Sequence, residues 1–161
     1  MKLKSTFLAI VSIFLIASCT PDPCIDVVCL NDGVCDDGTC LCTDWYEGTD
    51  CGNEQRVKYY GTYSGTVVTT LPDNTTDTQN ATLVVGSRNG GVNFMDIDGL
   101  DGVLKTNNLG EVECPLQSFY DVNLGNIYMS GMGSFNGSQF IFNYQYEISG
   151  SVYLATFSGT K

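Results

Sequence analysis

From residue 57 onward, apolar and polar residues alternate in short runs separated by turn formers, the period of strands that bury one face. The clearest run spans 140–148. Phe140, Phe142, Tyr144, Tyr146 and Ile148 share one face, and Asn143, Gln145 and Glu147 share the other. It predicts a half-buried antiparallel strand. Similar segments cover 57–69, 81–88, 91–98, 102–105, 111–115, 126–134 and 151–160. Asn89-Gly90-Gly91, Asp98-Gly99, Asn136-Gly137 and Ser149-Gly150 supply residues that tolerate the positive φ of hairpin turns. No stretch keeps a helical period of 3.6. The pattern predicts an all-β fold, an antiparallel β-meander over 53–161 that closes as a small barrel, with a sandwich as the alternative.

The first third of the chain follows another rule. Lys2 and Lys4 precede an apolar run over 7–16, too short to span a bilayer as a helix, which reads as a signal peptide over 1–18. The ending Ile16-Ala17-Ser18-Cys19 resembles the lipobox of bacterial lipoproteins. That resemblance implies cleavage before Cys19, lipidation of Cys19 and a lipid-anchored linker over 19–23. Six cysteines then crowd into 24–51, and a segment this short needs cross-links in place of a core, so an oxidising compartment is expected.

The six allow fifteen pairings, and the sequence alone does not choose among them. The tail Cys40-Leu41-Cys42, five residues, Gly48, two residues, Cys51 resembles the EGF-like module, with Trp45 where that module often carries glycine or proline. The resemblance assigns 24–52 to an EGF-like module and implies pairing of Cys24 with Cys35, Cys29 with Cys40 and Cys42 with Cys51. A turn at Asp37-Gly38 is consistent with it, because Cys40 and Cys42 then lie on a returning strand and reach different neighbours. The acidic lead-in and the aromatic of calcium-binding EGF modules are missing, so no calcium site is expected there.

Charge removes several function classes. The chain carries 7 Lys and Arg against 18 Asp and Glu, a net charge of −11. Loss of Lys2 and Lys4 with the leader makes it −13. No basic face exists for nucleic acid or anionic headgroups, so a membrane is reached through the lipid anchor. Histidine is absent, which removes imidazole-based catalysis and histidine metal sites. The segment 96–102 looks like a calcium loop but has Leu100 at the fifth position, and Glu111 and Glu113 read as one exposed strand face rather than a catalytic pair. Cys114 reads as a small buried residue. Asn74, Asn80 and Asn136 head glycan-acceptor triplets that read as loop composition. The expectation is a protein that is not an enzyme and needs neither cofactor nor metal.

Gly61-Thr62-Tyr63 resembles the Gly-x-Trp start of lipocalin-type barrels, with Tyr for Trp. The whole layout is similar to a group of Bacteroidetes surface lipoproteins. The residues that carry this are Tyr46, Glu47, Gly48, Asp50 and Cys51, then Glu54, Gln55, Arg56, Lys58, Gly61, Thr62 and Tyr63. It implies a lipid-anchored protein of the bacterial cell envelope, at the outer membrane or cell surface. Two functions fit. In one, an EGF-like stalk presents a β-domain that binds a glycan, a protein or a small apolar ligand, with Tyr59, Tyr60, Tyr63, Tyr144, Tyr146 and Tyr153 as stacking surface. In the other, the chain is a structural component of an envelope assembly that pairs through an edge strand.

Overall fold

The computed structural model describes residues 21–105 and 110–161. The expected signal peptide (1–18) and the lipidated Cys19 lie outside the described residues. Eight strands form a closed barrel: β5 (Gly61–Thr70), β6 (Thr76–Ser87), β7 (Phe94–Ile97), β8 (Leu100–Leu104), β9 (Glu111–Asp121), β10 (Gly125–Asn136), β11 (Gln139–Ile148) and β12 (Ser151–Thr160). Every neighbour pair is antiparallel and consecutive in the chain, and β12 closes on β5, with Thr160 opposite Ser64 and Leu154 opposite Thr70. The fold is all-β, a barrel rather than a sandwich.

Alternation fills the interior. Tyr63, Val85, Met95, Ile97, Val112, Phe135, Phe140, Phe142 and Phe157 form the core, each at most 5% exposed. Their sequence neighbours on the other face are mostly polar or charged. Glycines let the wall curve tightly over these rings: at Gly133 a Cβ would stand 2.7 Å from the Phe140 ring. The aromatics stack in a column through the barrel. Ring centroids follow at 4.6 Å (Tyr59–Phe135), 4.2 Å (Phe135–Phe140), 5.8 Å (Phe140–Phe142), 5.0 Å (Phe142–Tyr144), 6.1 Å (Tyr144–Tyr146) and 4.9 Å (Tyr146–Tyr153).

Three boundaries differ from the pattern-based expectation by four residues or more, and others by one to three. Residues 57–59, expected in a strand, belong to a 3-10 turn over Gln55–Tyr59, and β5 starts at Gly61. β6 begins at Thr76 and not at 81, because its first turns of the pleat are polar and show no alternation. β9 runs past Pro115 to Asp121. The register between Gly131–Cys114 and Met129–Gln117 takes up one extra residue on β9, and this bulge holds Pro115 where no ladder N–H is required.

The cysteine-rich segment contains two short hairpins, β1 (Val34–Asp36) with β2 (Thr39–Leu41), and β3 (Tyr46–Glu47) with β4 (Asn53–Glu54). Disulfides join Cys24 to Cys35, Cys29 to Cys40 and Cys42 to Cys51, the same pairs that the EGF resemblance implies. Trp45 adopts φ 76°, which glycine would take freely. Its ring packs against the barrel core and its carbonyl accepts the Gln55 N–H at 2.7 Å. Arg56 fastens the junction: its guanidinium donates to the carbonyls of Arg88 (3.1 Å), Gly91 (2.8 Å) and Phe94 (2.6 Å), and to Glu54 at 2.8 Å.

Candidate functional site: the open mouth of the barrel

The two ends of the barrel differ because β7 and β8 are only 4 and 5 residues long. They complete the wall at the end next to the cysteine-rich segment and stop halfway up. β7 pairs only with Val85, Gly86 and Ser87 of β6, and β8 only with Glu113 and Val112 of β9. Beyond them, residues 76–83 of β6 and 115–121 of β9 have a strand neighbour on one side only, among the described residues. The result is a notch in the wall. Its floor is finished by a side chain: the Gln117 amide accepts the Asp101 N–H and donates to the Asp101 carbonyl, both at 2.8 Å, as a strand backbone would.

Inside the mouth lies a cavity of about 440 Å³ lined by Val67, Thr69 and Leu71 before and after the top of β5, Asp77, Gln79, Asn80 and Ala81 of β6, and Tyr146 and Tyr153. The two tyrosine rings are nearly parallel, at 4°. Both are half-buried, so each keeps surface for a ligand. Tyr144 stands one step deeper. Burial, followed by the charges of Tyr146 and Asp98, raises its pKa, so it remains a neutral hydroxyl. Asp77 accepts the Gln79 amide at 2.6 Å and has no ion pair among the described residues.

The six tyrosines marked in the sequence divide between the two ends. Tyr144, Tyr146 and Tyr153 converge at the mouth. Tyr59, Tyr60 and Tyr63 lie at the closed end, where Tyr63 is fully buried and donates its hydroxyl to the Tyr59 carbonyl at 2.8 Å. Tyr63 is therefore a core residue and offers no stacking surface. Cys114 is buried at 2% exposure, and burial, then the charges of Asp101 and Glu113, push its thiol up to about 12. Asp98-Gly99 forms the β7–β8 turn, and Glu113 pairs with Lys105. Among the described residues no three His, Cys, Asp or Glu side chains gather at one point.

Charge is segregated along the barrel axis. All five Lys and Arg of the described residues, at 56, 58, 88, 105 and 161, are in chain segments at the closed end, beyond the ends of β5, β6, β8 and β12, and Arg88 reaches from there to Asp96 and Asp101 of the β7–β8 hairpin. The mouth end has Asp73, Asp77, Asp98, Asp121 and Glu147. The sequence list of charges contains this separation, but only the alternating strand directions reveal it. A second, shallower groove of about 640 Å³ crosses the outside of β5, β12, β11, β10 and β9, with Asn143, Gln145 and Thr156 among its lining, and carries no ring stack.

No family model matches the chain, and no curated protein matches it in sequence. In fold, the chain is similar to a solved structure, a protein of Bacteroides fragilis NCTC 9343 that bears the provisional name of outer membrane protein. The TM-score is 0.50 at 12% identity, over 68% of this chain and 54% of that one. This chain thus spans about half the length of that protein, and at this identity the likeness is one of fold. The barrel wall here has phenylalanines inside and residues such as Thr62, Thr66, Thr82, Asn143, Gln145 and Ser158 outside. The outer wall also exposes Val68, Val84, Leu116, Met132, Val152 and Leu154.

Proposed function

We propose that this protein is a non-catalytic lipoprotein of a bacterial cell envelope, held to the membrane through lipidated Cys19, in which an EGF-like stalk presents a β-barrel that binds a glycan, a protein or a small apolar ligand at its mouth. The observation that carries the reading is the half-open, ring-lined cavity at Tyr146 and Tyr153, at the end opposite the cysteine-rich segment. Preformed concave sites with aromatic walls and a few polar groups are what ligands occupy. The lipobox-like leader and the name of the structural neighbour support the envelope setting.

A glycan and peptide array probed with the chain from residue 19, with Cys19→Ser for solubility, tests the binding role. Binding that falls when Tyr146→Ala and Tyr153→Ala are introduced is the expected result; turnover of an array member overturns the non-catalytic reading. Fatty-acid labelling that depends on Cys19 tests the anchor. The structural-component reading would use the edge of β9 over 116–120, which is uncharged and lacks a second strand neighbour among the described residues, with the Pro115 bulge at its base working against it.

A further inference from the structure

We infer that the notch beside β6 receives an extended, positively charged segment of a protein partner, which adds as a strand to the free edge of β6 and places Lys or Arg side chains in the tyrosine-lined mouth. The inference rests on the mouth being a binding site and specifies its occupant.

The backbone of β6 sets the geometry. The Val84 carbonyl accepts the Asp98 N–H at 2.8 Å, so it points to the β7 side. In an antiparallel strand every second residue points its N–H and C=O the same way. Thr82, Asn80, Thr78 and Thr76 therefore aim their backbone groups into the notch, above the last rung that β7 supplies. Such a row is a template for strand addition, in which main-chain hydrogen bonds give affinity and alternate side chains give selectivity. The inward residues of an added strand would stand beside Asp77, Gln79 and Ala81, the residues of β6 that line the cavity together with Asn80.

The two edges of the notch are not equivalent. β9 presents Pro115 and a bulge, devices that discourage pairing. β6 over 76–84 has no proline, lysine or bulge, and its single charge is the inward Asp77. An inward acid at an edge repels a second copy of this acidic chain and admits a basic strand. Asp73, Asp98, Asp121 and Glu147 surround the mouth; the cation nearest the notch, Arg88, is held at its floor by Asp96 and Asp101, and the other four Lys and Arg lie at the far end. Tyr146 and Tyr153 add ring faces on which an ammonium or guanidinium is stabilised. Anionic ligands are correspondingly disfavoured.

Three synthetic peptides test this against the chain from residue 19 carrying Cys19→Ser: an alternating Val-Lys octapeptide, its Val-Glu counterpart, and the Val-Lys peptide N-methylated at alternate backbone amides. Binding by fluorescence anisotropy at physiological salt should rank the Val-Lys peptide about tenfold or more ahead of both others, and Asp77→Asn should cost it about tenfold. Bound Val-Lys peptide should slow amide exchange at Thr78, Asn80 and Thr82. Equal binding of the N-methylated peptide, or protection at 115–121 instead, overturns the inference. So does silence of all three peptides while a neutral array ligand still binds in a Tyr146-dependent way, which leaves the mouth as a site. Absence of any Tyr146-dependent ligand defeats the mouth reading itself.

Discussion

Gly65→Ala probes the closure of the barrel at the seam between first and last strands. Gly65 faces Gly159 across that seam. A Cβ on residue 65 would collide with the Ser158 carbonyl oxygen and the Gly159 Cα, and would stand 2.7 Å from the Ser158 carbonyl carbon. These are backbone atoms of a paired strand, so no rotamer change relieves the contact. Normal separation requires the strands to part by about 1 Å, which breaks about two ladder hydrogen bonds at about 1 kcal/mol each and adds overpacking strain of about 1–3 kcal/mol. The expected loss is about 3–5 kcal/mol, or a fall in Tm on the order of 15 °C or more for a domain of this size. Gly86→Ala is the control, because nothing lies within 4 Å of a Cβ there and its φ needs no glycine. It should be neutral or slightly stabilising. Urea unfolding followed by far-UV circular dichroism measures both. If the two variants agree within about 0.5 kcal/mol, the seam does not pack as described.

Arg56→Ala should cost about 2–3 kcal/mol, seen as a lower urea midpoint, because the carbonyls of Arg88, Gly91 and Phe94 lose a charged donor. Cys114 should resist a thiol reagent in the native state at pH 8 and react once denaturant is added, since its thiol is pushed up to about 12; rapid native labelling would contradict its burial. Stability should fall as pH rises from about 9 to 12 in an alkaline urea series. The folded pKa values of Cys114 and Tyr63, both about 12, exceed the ordinary values of 9.0 and 10.0, so the unfolded chain loses these protons first. Reduction of the disulfides should release the cysteine-rich segment, each loop of 9 or 11 residues contributing about 2.7 kcal/mol, while the strand signal of the barrel persists.

What the sequence made legible follows from where alternation is strong. β11 could be read residue by residue, since five aromatic or branched side chains mark its inner face. The start of β6 could not, because Thr76-Asp77-Thr78-Gln79-Asn80 line an open mouth and a free edge where neither face is buried. Tyr63 and Tyr146 look alike in sequence, each an inward residue of an amphipathic strand. They differ only in height within the barrel, which depends on which neighbours stop short. The 4 and 5 residues of β7 and β8 decide this, and short strands carry little pattern. The structural roles of Arg56 and Gln117 were illegible for another reason: they bond backbone groups, which leave no residue motif. The departure at Trp45, tryptophan where the module often carries glycine or proline, was visible, and its meaning, a left-handed residue whose ring reaches the barrel core, was not.

The seam also orders events in time. β12 completes the wall by pairing with β5, and the Lys161 ammonium donates to the carbonyls of Lys58 and Tyr60, 103 and 101 residues earlier in the chain. Until β12 is delivered, β5 and β11 both remain open-sided and the ring column has one flank in water. Folding must therefore wait for late residues, a topology of high contact order and slow closure. A chain made from the N-terminus thus keeps its barrel open until β12 arrives.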